Sequence, residues 1–261
     1  MDGVNKTLYI PLYGKAFVSR KGIILSDPKA EAIWNAEGFP LKGKARSKWL
    51  AYNMGMRSAV FDRWLREKME AFPNAVVLHL GCGMDSRIDR VGSQNRLWFD
   101  VDFPSVMEER LRYFSENEYY RMVSSDVREV QWLEAVPRNV PAIVVMEGIS
   151  MYLTLPELKE TLKQLCQHFS AVHILMDTYT SFAVKATKYK NPINTVGVTQ
   201  VYGFDDPEEL TAETGLTFVA EYDLTPDDLI TQLSKSEQVI FRKLFAGSFA
   251  KKIYRLYEYR S

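Results

Sequence analysis

The stretch VVLHLGCGMDSRIDRV, residues 76–91, decides the fold. An apolar run meets a glycine pair, Gly81 and Gly83, and a helix-like pattern follows, which reads as strand, tight turn, helix. Many α/β proteins hold an adenosine-containing cofactor at such a turn, and NAD, FAD and S-adenosylmethionine all use it. Working outward, residues 1–70 read as helical. The segment WLAYNMGMRSAVFDRWLREKMEAF (49–72) carries apolar residues at three- and four-residue spacing until Pro73-Asn74 breaks it.

Beyond the break, apolar runs alternate with helix-like segments. The runs are AVVLHL (75–80), RLWFDV (96–101), YYRMVSS (119–125), AIVVME (142–147) and VHILMDT (172–178). Helices are expected over 84–91, 104–114, 127–135 and 156–169. Strands apolar on both faces and alternating with helices imply a parallel sheet covered on both sides. LTFVAEYDL (216–224) and KKIYRLYEYR (251–260), with a helix expected over 226–245, are read as two antiparallel strands closing the edge of a seven-stranded sheet. Residues 180–205 fit no regular element and are read as an insertion over the carboxyl edge. The expected organisation is one domain over 1–261, with a helical cap (1–70), a cofactor-binding core (75–178), the substrate-side insertion (180–205) and C-terminal strands and helix (206–261).

The chain of 261 residues is 46% hydrophobic, ample for a continuous core, and its 33 basic and 33 acidic residues cancel. That balance gives no field favouring nucleic acid or an anionic membrane. The opening MDGVNKTLYIPLYG lacks a secretory pattern, and no apolar run approaches the ~18 residues of a membrane span. Cys82 and Cys166 alone suggest neither a metal cluster nor a disulfide framework. The expectation is a cytoplasmic monomer or homodimer without metal, nucleic-acid or membrane partners.

Ligands of an open parallel sheet bind at the carboxyl ends of its strands. Those positions hold Gly81, Cys82 and Gly83, then Asp100 and Asp102, then Asp126 with Val127, then Glu147 and Gly148, then Asp177. A dinucleotide's pyrophosphate wants bare amides and no carboxylate nearby, whereas Asp85 sits where it would satisfy those amides and Ser86 replaces the third glycine of the dinucleotide pattern. A sulfonium, an ammonium, a ribose diol and an adenine amine all welcome carboxylates, so the acidic rim suits S-adenosylmethionine. Each piece has a plainer reading. The glycines alone make a tight turn. One of Asp100 and Asp102 takes ribose while the other caps a helix, and Asp126 is open between cap and adenine contact. Glu147 after a buried strand is costly without a partner, which favours a functional role over a structural salt bridge. On residue type alone Lys15 and Arg57 are solvated charges. His79 lies inside a strand, His168 ends a helix and His173 starts a strand at the wrong edge. The lack of a placed histidine base favours a carboxylate acceptor, or a phenol activated by Tyr152 or Glu147.

Several blocks together resemble the leucine carboxyl methyltransferase family, and more closely its bacterial branch of tetracenomycin-type polyketide O-methyltransferases. They are LYGKAFVSRKGIILSDPKA (12–30), MRSAVFD (56–62), LGCGMDSRIDR (80–90), FDVDFPSV (99–106), VSSDV (123–127) and VVMEGISMYLT (144–154). The resemblance implies a class I methyltransferase, with a Rossmann-like, seven-stranded, mostly parallel sheet, helices on both faces, an N-terminal helical cap and an insertion after strand 5. It implies S-adenosylmethionine as cofactor, Lys15 and Arg57 on its carboxylate, and the turn Gly81, Cys82, Gly83 beneath it. Asp100 stands where the family commonly has glutamate, leaving open which of Asp100 and Asp102 takes the ribose, and Asp126, Val127 and Glu147 complete the set. Arg87, Tyr152 and the segment Tyr189 to Tyr202 are expected to face the acceptor, a small molecule. Competing expectations are methylation of a protein C-terminus, a non-catalytic methyltransferase-like binding protein and, disfavoured by Asp85 and Ser86, an NAD-type oxidoreductase.

Overall fold

The computed structural model describes residues 8–37, 43–186 and 200–261. Most of the expected insertion, 187–199 with Tyr189, lies outside the described residues. The chain opens on helices α1 (Tyr9–Arg20), α2 (Pro28–Glu37) and α3 (Lys48–Ala71). Helix α3 starts where the Ser47 hydroxyl accepts the Trp49 N–H, and it stops just before Pro73, which cannot supply a helical N–H.

The sheet elements follow: β1 (Val76–Leu80), α4 (Arg87–Val91), β2 (Trp98–Asp102), α5 (Pro104–Arg110), β3 (Tyr120–Ser124), β4 (Pro141–Met146), α6 (Leu155–His168) and β5 (Ala171–Tyr179). After β5 come α7 (Ser181–Ala186), β6 (Thr217–Glu221), α8 (Asp227–Ile230), α9 (Lys235–Leu244), α10 (Gly247–Lys251) and β7 (Tyr254–Arg260). The strand order is β3-β2-β1-β4-β5-β7-β6. The chain builds outward from β1 in one direction and from β4 in the other, so the sheet reverses between those two strands. That reversal is where a parallel sheet opens a crevice.

Alternate residues of each strand serve opposite layers, as the pleat requires. Val77, Ile143 and Val145 join Phe61, Trp64 and Leu65 of α3 on one face. Leu78, Val144 and Ile174 meet Leu158, Leu162 and Leu165 of α6 on the other. Helix α6 is fixed at its start by a capping box between Thr154 and Glu157. No helix among the described residues is long and apolar enough to cross a membrane.

Three expectations are corrected. Of the two late strands only β7 runs against the others: it is antiparallel to both β5 and β6, which leaves β6 parallel to β5. The segment 127–135 forms a 3-10 turn, Val130–Ala135, rather than an α-helix. The helix expected over 226–245 breaks into α8 and α9, because Ser234 restarts it through a capping box with Glu237.

Candidate active site

At the β1/β4 reversal lies a cavity of about 750 Å³, in the size range that encloses a drug-sized ligand. Its base is the turn Gly81-Cys82-Gly83. Gly81 and Gly83 have φ of +66° and +51°, a region side chains resist, and a Cβ on Gly81 would sit 2.6 Å from Ile149 Cδ1. One wall holds Asp102 and Phe103 with Asp126 and Val127; the other holds Lys15 of α1, Arg57 of α3 and Glu147.

The two aspartates of β2 part company. Asp102 lines the cavity. Its Oδ2 accepts the Gly83 N–H at 2.7 Å and its Oδ1 the Phe103 N–H at 2.8 Å. Among the described residues no cation pairs with it, and burial raises its carboxyl above the usual range. Asp100, also expected as a ribose contact, is sealed from the cavity. It accepts from Arg110, from Tyr120 Oη at 2.6 Å and from Trp98 Nε1 at 2.8 Å. Burial opposes ionisation there, but Arg110 draws the carboxyl down to about 2. Asp100 is therefore a structural ion pair, a correction that leaves the cavity to Asp102.

Asp126 also lines the cavity, gripped by Arg128, whose Nε reaches both carboxylate oxygens at 3.0 Å. Although burial opposes it, hydrogen bonds from Arg128 hold its carboxyl low. Arg128 continues to Glu157 of the α6 capping box at 3.0 Å, so this wall is tied to the start of that helix.

On the opposite wall the acids are compensated rather than bare. Glu147 Oε1 accepts from Arg57 Nε at 3.0 Å and from Ser58 Oγ at 2.9 Å, and its Oε2 accepts from Arg87 Nη2. Against the cost of burial, Arg57 and Arg87 draw the Glu147 carboxyl down to about 2. Arg57 Nη1 donates to Asp177 Oδ2 at 2.9 Å and to Tyr254 Oη at 2.8 Å. Lys15 lies 3.1 Å from Asp85, which Arg90 also holds at 2.7 Å. Asp85 thus pairs with cations instead of satisfying the turn's amides, and Asp102 takes the Gly83 amide in its place.

Arg87 is fully buried. It stands behind Glu147, bound to Asp62 at 2.7 Å, and does not line the cavity. Its expected contact with an acceptor is corrected accordingly. Tyr152 does line the cavity, as do Tyr179 and Tyr254. Sequence reasoning missed Ser58, Asp62, Arg90 and Tyr254. Their only signal was polar side chains at buried positions, which periodicity cannot separate from a solvated face.

These donors and acceptors fit a phosphate-free nucleoside bearing an amino-acid group. The Gly83 amide is already taken and Asp102 stands beside it, so a pyrophosphate would meet a carboxylate where it needs free N–H groups. At the other end Lys15 and Arg57 bring two cations to the wall, and Arg57 Nη2 makes no hydrogen bond among the described residues.

The family model described as leucine carboxyl methyltransferase matches residues 5–166. The tetracenomycin polyketide synthesis O-methyltransferase TcmP of Streptomyces glaucescens is 30% identical over 227 residues, covering 86% of this chain and 84% of that one. The S-adenosyl-L-methionine-dependent methyltransferase dpfgK of Gibberella zeae is 28% identical over 233 residues, covering 80% and 78%. Among solved structures, a Thermobifida fusca chain assigned as a methyltransferase superposes with a TM-score of 0.60 at 14% identity, covering 95% of this chain and 94% of that one. Magnesium protoporphyrin IX methyltransferase from Synechocystis, solved with S-adenosylhomocysteine bound, gives 0.51 at 10% identity, covering 90% and 99%. At these identities the two structures speak for the fold alone.

Proposed function

The chain belongs to the leucine carboxyl methyltransferase family and is an S-adenosylmethionine-dependent O-methyltransferase, and from that premise we propose that its acceptor is a carboxylate on a small, polyketide-like molecule. When bound, the cofactor would supply a sulfonium-activated methyl group for an oxygen acceptor, with a neutral thioether as the leaving group, and Lys15, Arg57, Asp102 and Glu147 would hold it. The protein's part is to align, to exclude water and to meet an acceptor that is already ionised.

In this reading Asp102 receives the ribose hydroxyls, and Asp126 and Val127 border the adenine. The Gly81-Cys82-Gly83 turn lies beneath the nucleoside. Lys15 and Arg57 hold the amino-acid carboxylate, and Glu147 receives the ammonium. Glu147 thereby serves as a fixed anion and not as a base, because a carboxyl held near 2 is a poor proton acceptor for a phenol of pKa ~10.

One observation carries the choice of acceptor: among the described residues, His79 is held inside β1 3.3 Å from Asp100, and the acids and phenols of the wall around Lys15, Arg57 and Glu147 are not poised as a base. Arg57 and Arg87 hold Glu147 ionised, Arg90 and Lys15 hold Asp85 low, and burial pushes the Tyr179 and Tyr254 phenols up. A carboxylic acid is ionised at neutral pH and needs no base. Leu8, Ile10, Met54 and Met151, with Tyr152 and Tyr179, line the cavity and suit a flat apolar ring. TcmP, named for tetracenomycin polyketide synthesis, supports the same class.

The test is incubation with methyl-labelled cofactor and matched panels of polycyclic aromatic acids, the corresponding phenols and peptides ending in a free carboxylate. Label released by mild base from the aromatic acids is the expected result. Label found only as base-stable ethers of the phenols, or only on the peptides, contradicts the proposal.

A further inference from the structure

Glu147 is held by three donors on two oxygens, and none of them is exposed. Oε1 carries two hydrogen bonds, from Arg57 and Ser58, and Oε2 carries one, from Arg87. A carboxylate offers about four acceptor sites, so Oε2 keeps an open one. Two of the three donors, Arg57 and Ser58, sit on α3, and the third is set by α3 as well. Asp62, one turn after Ser58, receives Arg87 Nε at 2.7 Å on Oδ1. It also receives Arg90 Nε at 2.7 Å on Oδ2 and Arg90 Nη2 at 3.0 Å on Oδ1.

Asp62 is 3% exposed and does not line the cavity. It belongs to a connected buried array of four cations, Lys15, Arg57, Arg87 and Arg90, and five carboxylates, Asp27, Asp62, Asp85, Glu147 and Asp177. With Asp62 charged, Arg87 is shared among Asp62, Glu147 and Asp85, whose Oδ2 lies 3.3 Å from Nη2. With Asp62 neutral, its pull on Arg87 weakens and the guanidinium is free to take up the open site of Oε2. Independently, Arg87 Nη1 is buried with no hydrogen-bond partner. An array serving stability alone would satisfy that donor, whose desolvation is costly; the guanidinium instead turns Nε to Asp62 and Nη2 to Glu147, with Asp85 3.3 Å from Nη2.

We infer that Asp62, acting through Arg87 and together with Ser58, is a positioning residue that orients Glu147 and keeps one acceptor site of its carboxylate open for the cofactor's ammonium. The inference rests on the reading above, in which Glu147 contacts the cofactor. Asp62 touches neither cofactor nor acceptor, so its removal weakens cofactor binding and leaves the transfer step intact.

The experiment measures KM for S-adenosylmethionine, KM for the acceptor, kcat and Tm in Asp62→Asn, Ser58→Ala and Glu147→Gln. Asp62→Asn is expected to raise KM for the cofactor about tenfold, as outer partners of ligating side chains do, with kcat and the acceptor KM unchanged. Ser58→Ala is expected to raise the same KM severalfold, and Glu147→Gln at least as much as Asp62→Asn. A purely structural role would lower Tm and the active fraction without moving KM, and that result overturns the inference. If Glu147→Gln itself leaves the cofactor KM unchanged, the contact between Glu147 and the cofactor is what fails. If only Glu147→Gln raises it, the positioning role fails alone. Should Asp62→Asn not fold, Ser58→Ala decides: a raised cofactor KM at constant kcat supports the inference and an unchanged one refutes it.

Discussion

Asp100 and Asp102 stand on the same side of β2, one residue pair apart in depth, and their surroundings give them opposite work. Asp100 meets Arg110, Tyr120 and Trp98, whereas Asp102 meets two backbone amides and the open cavity. Alternation along a strand cannot tell such residues apart, because both point the same way, and the deciding partner Arg110 comes from the following helix. The consequence is separable by mutation. Asp100→Ala leaves a buried arginine unpaired and is expected to cost about 3–5 kcal/mol of unfolding free energy. It should barely change the Kd for S-adenosylhomocysteine of the folded protein. Asp102→Ala is expected to do the reverse, weakening that Kd at least about tenfold, roughly the loss of one charge-assisted hydrogen bond. Urea titration and calorimetric binding read the two effects, and an exchange of outcomes would move the ribose contact to Asp100.

Between elements, the buried ion array does what apolar packing does elsewhere: it fastens the segment before α2, helices α3 and α4 and the end of β4 to one another. Its acids, with Asp100 of the separate Asp100–Arg110 pair, set the protein's response to pH. Asp62, Asp85, Glu147 and Asp100 have carboxyls below their ordinary values of 3.8 to 4.5 when folded. The stabilisation they contribute is fully present above pH 4.5 and is lost as pH falls through the range down to about 2. Asp102 and Asp177 are raised by burial and work the other way, being relieved by protonation, but the depressed group outnumbers them. Unfolding free energy should therefore fall steeply between pH 4.5 and about 2. A flat profile over that interval, measured by denaturant midpoints, would show that the array and the Asp100–Arg110 pair contribute no net stability. Strands β1, β4 and β5 were legible because runs apolar on both faces admit little else, and β2 and the edge strand β3 followed from their place in the alternation with helices. The order of β6 and β7 was not, since alternation says that a strand is half-buried and not which neighbour it chooses.

At the scale of the whole molecule, the place of the site followed from one turn and the sheet rule. Glycines after β1 and acids at the ends of β2, β3 and β4 mark the reversal where the cavity lies. Tyr152, Lys15 and Arg57 line it as well. What the sequence could not convey is pairing across distance. The contacts of Arg57 with Asp177 and of Arg87 with Glu147 join residues 120 and 60 positions apart, and they turn an apparently bare acidic rim into a paired array, with Asp102 outside it and without a cation among the described residues. Tyr254, in the last strand, entered the wall only because β7 lies beside β5. The most direct measurement is a crystal structure of the complex with S-adenosylhomocysteine. The expected result is ribose hydroxyls on Asp102 and the amino-acid group among Lys15, Arg57 and Glu147; a nucleoside bound outside this cavity, or one whose ribose does not touch Asp102, would contradict it.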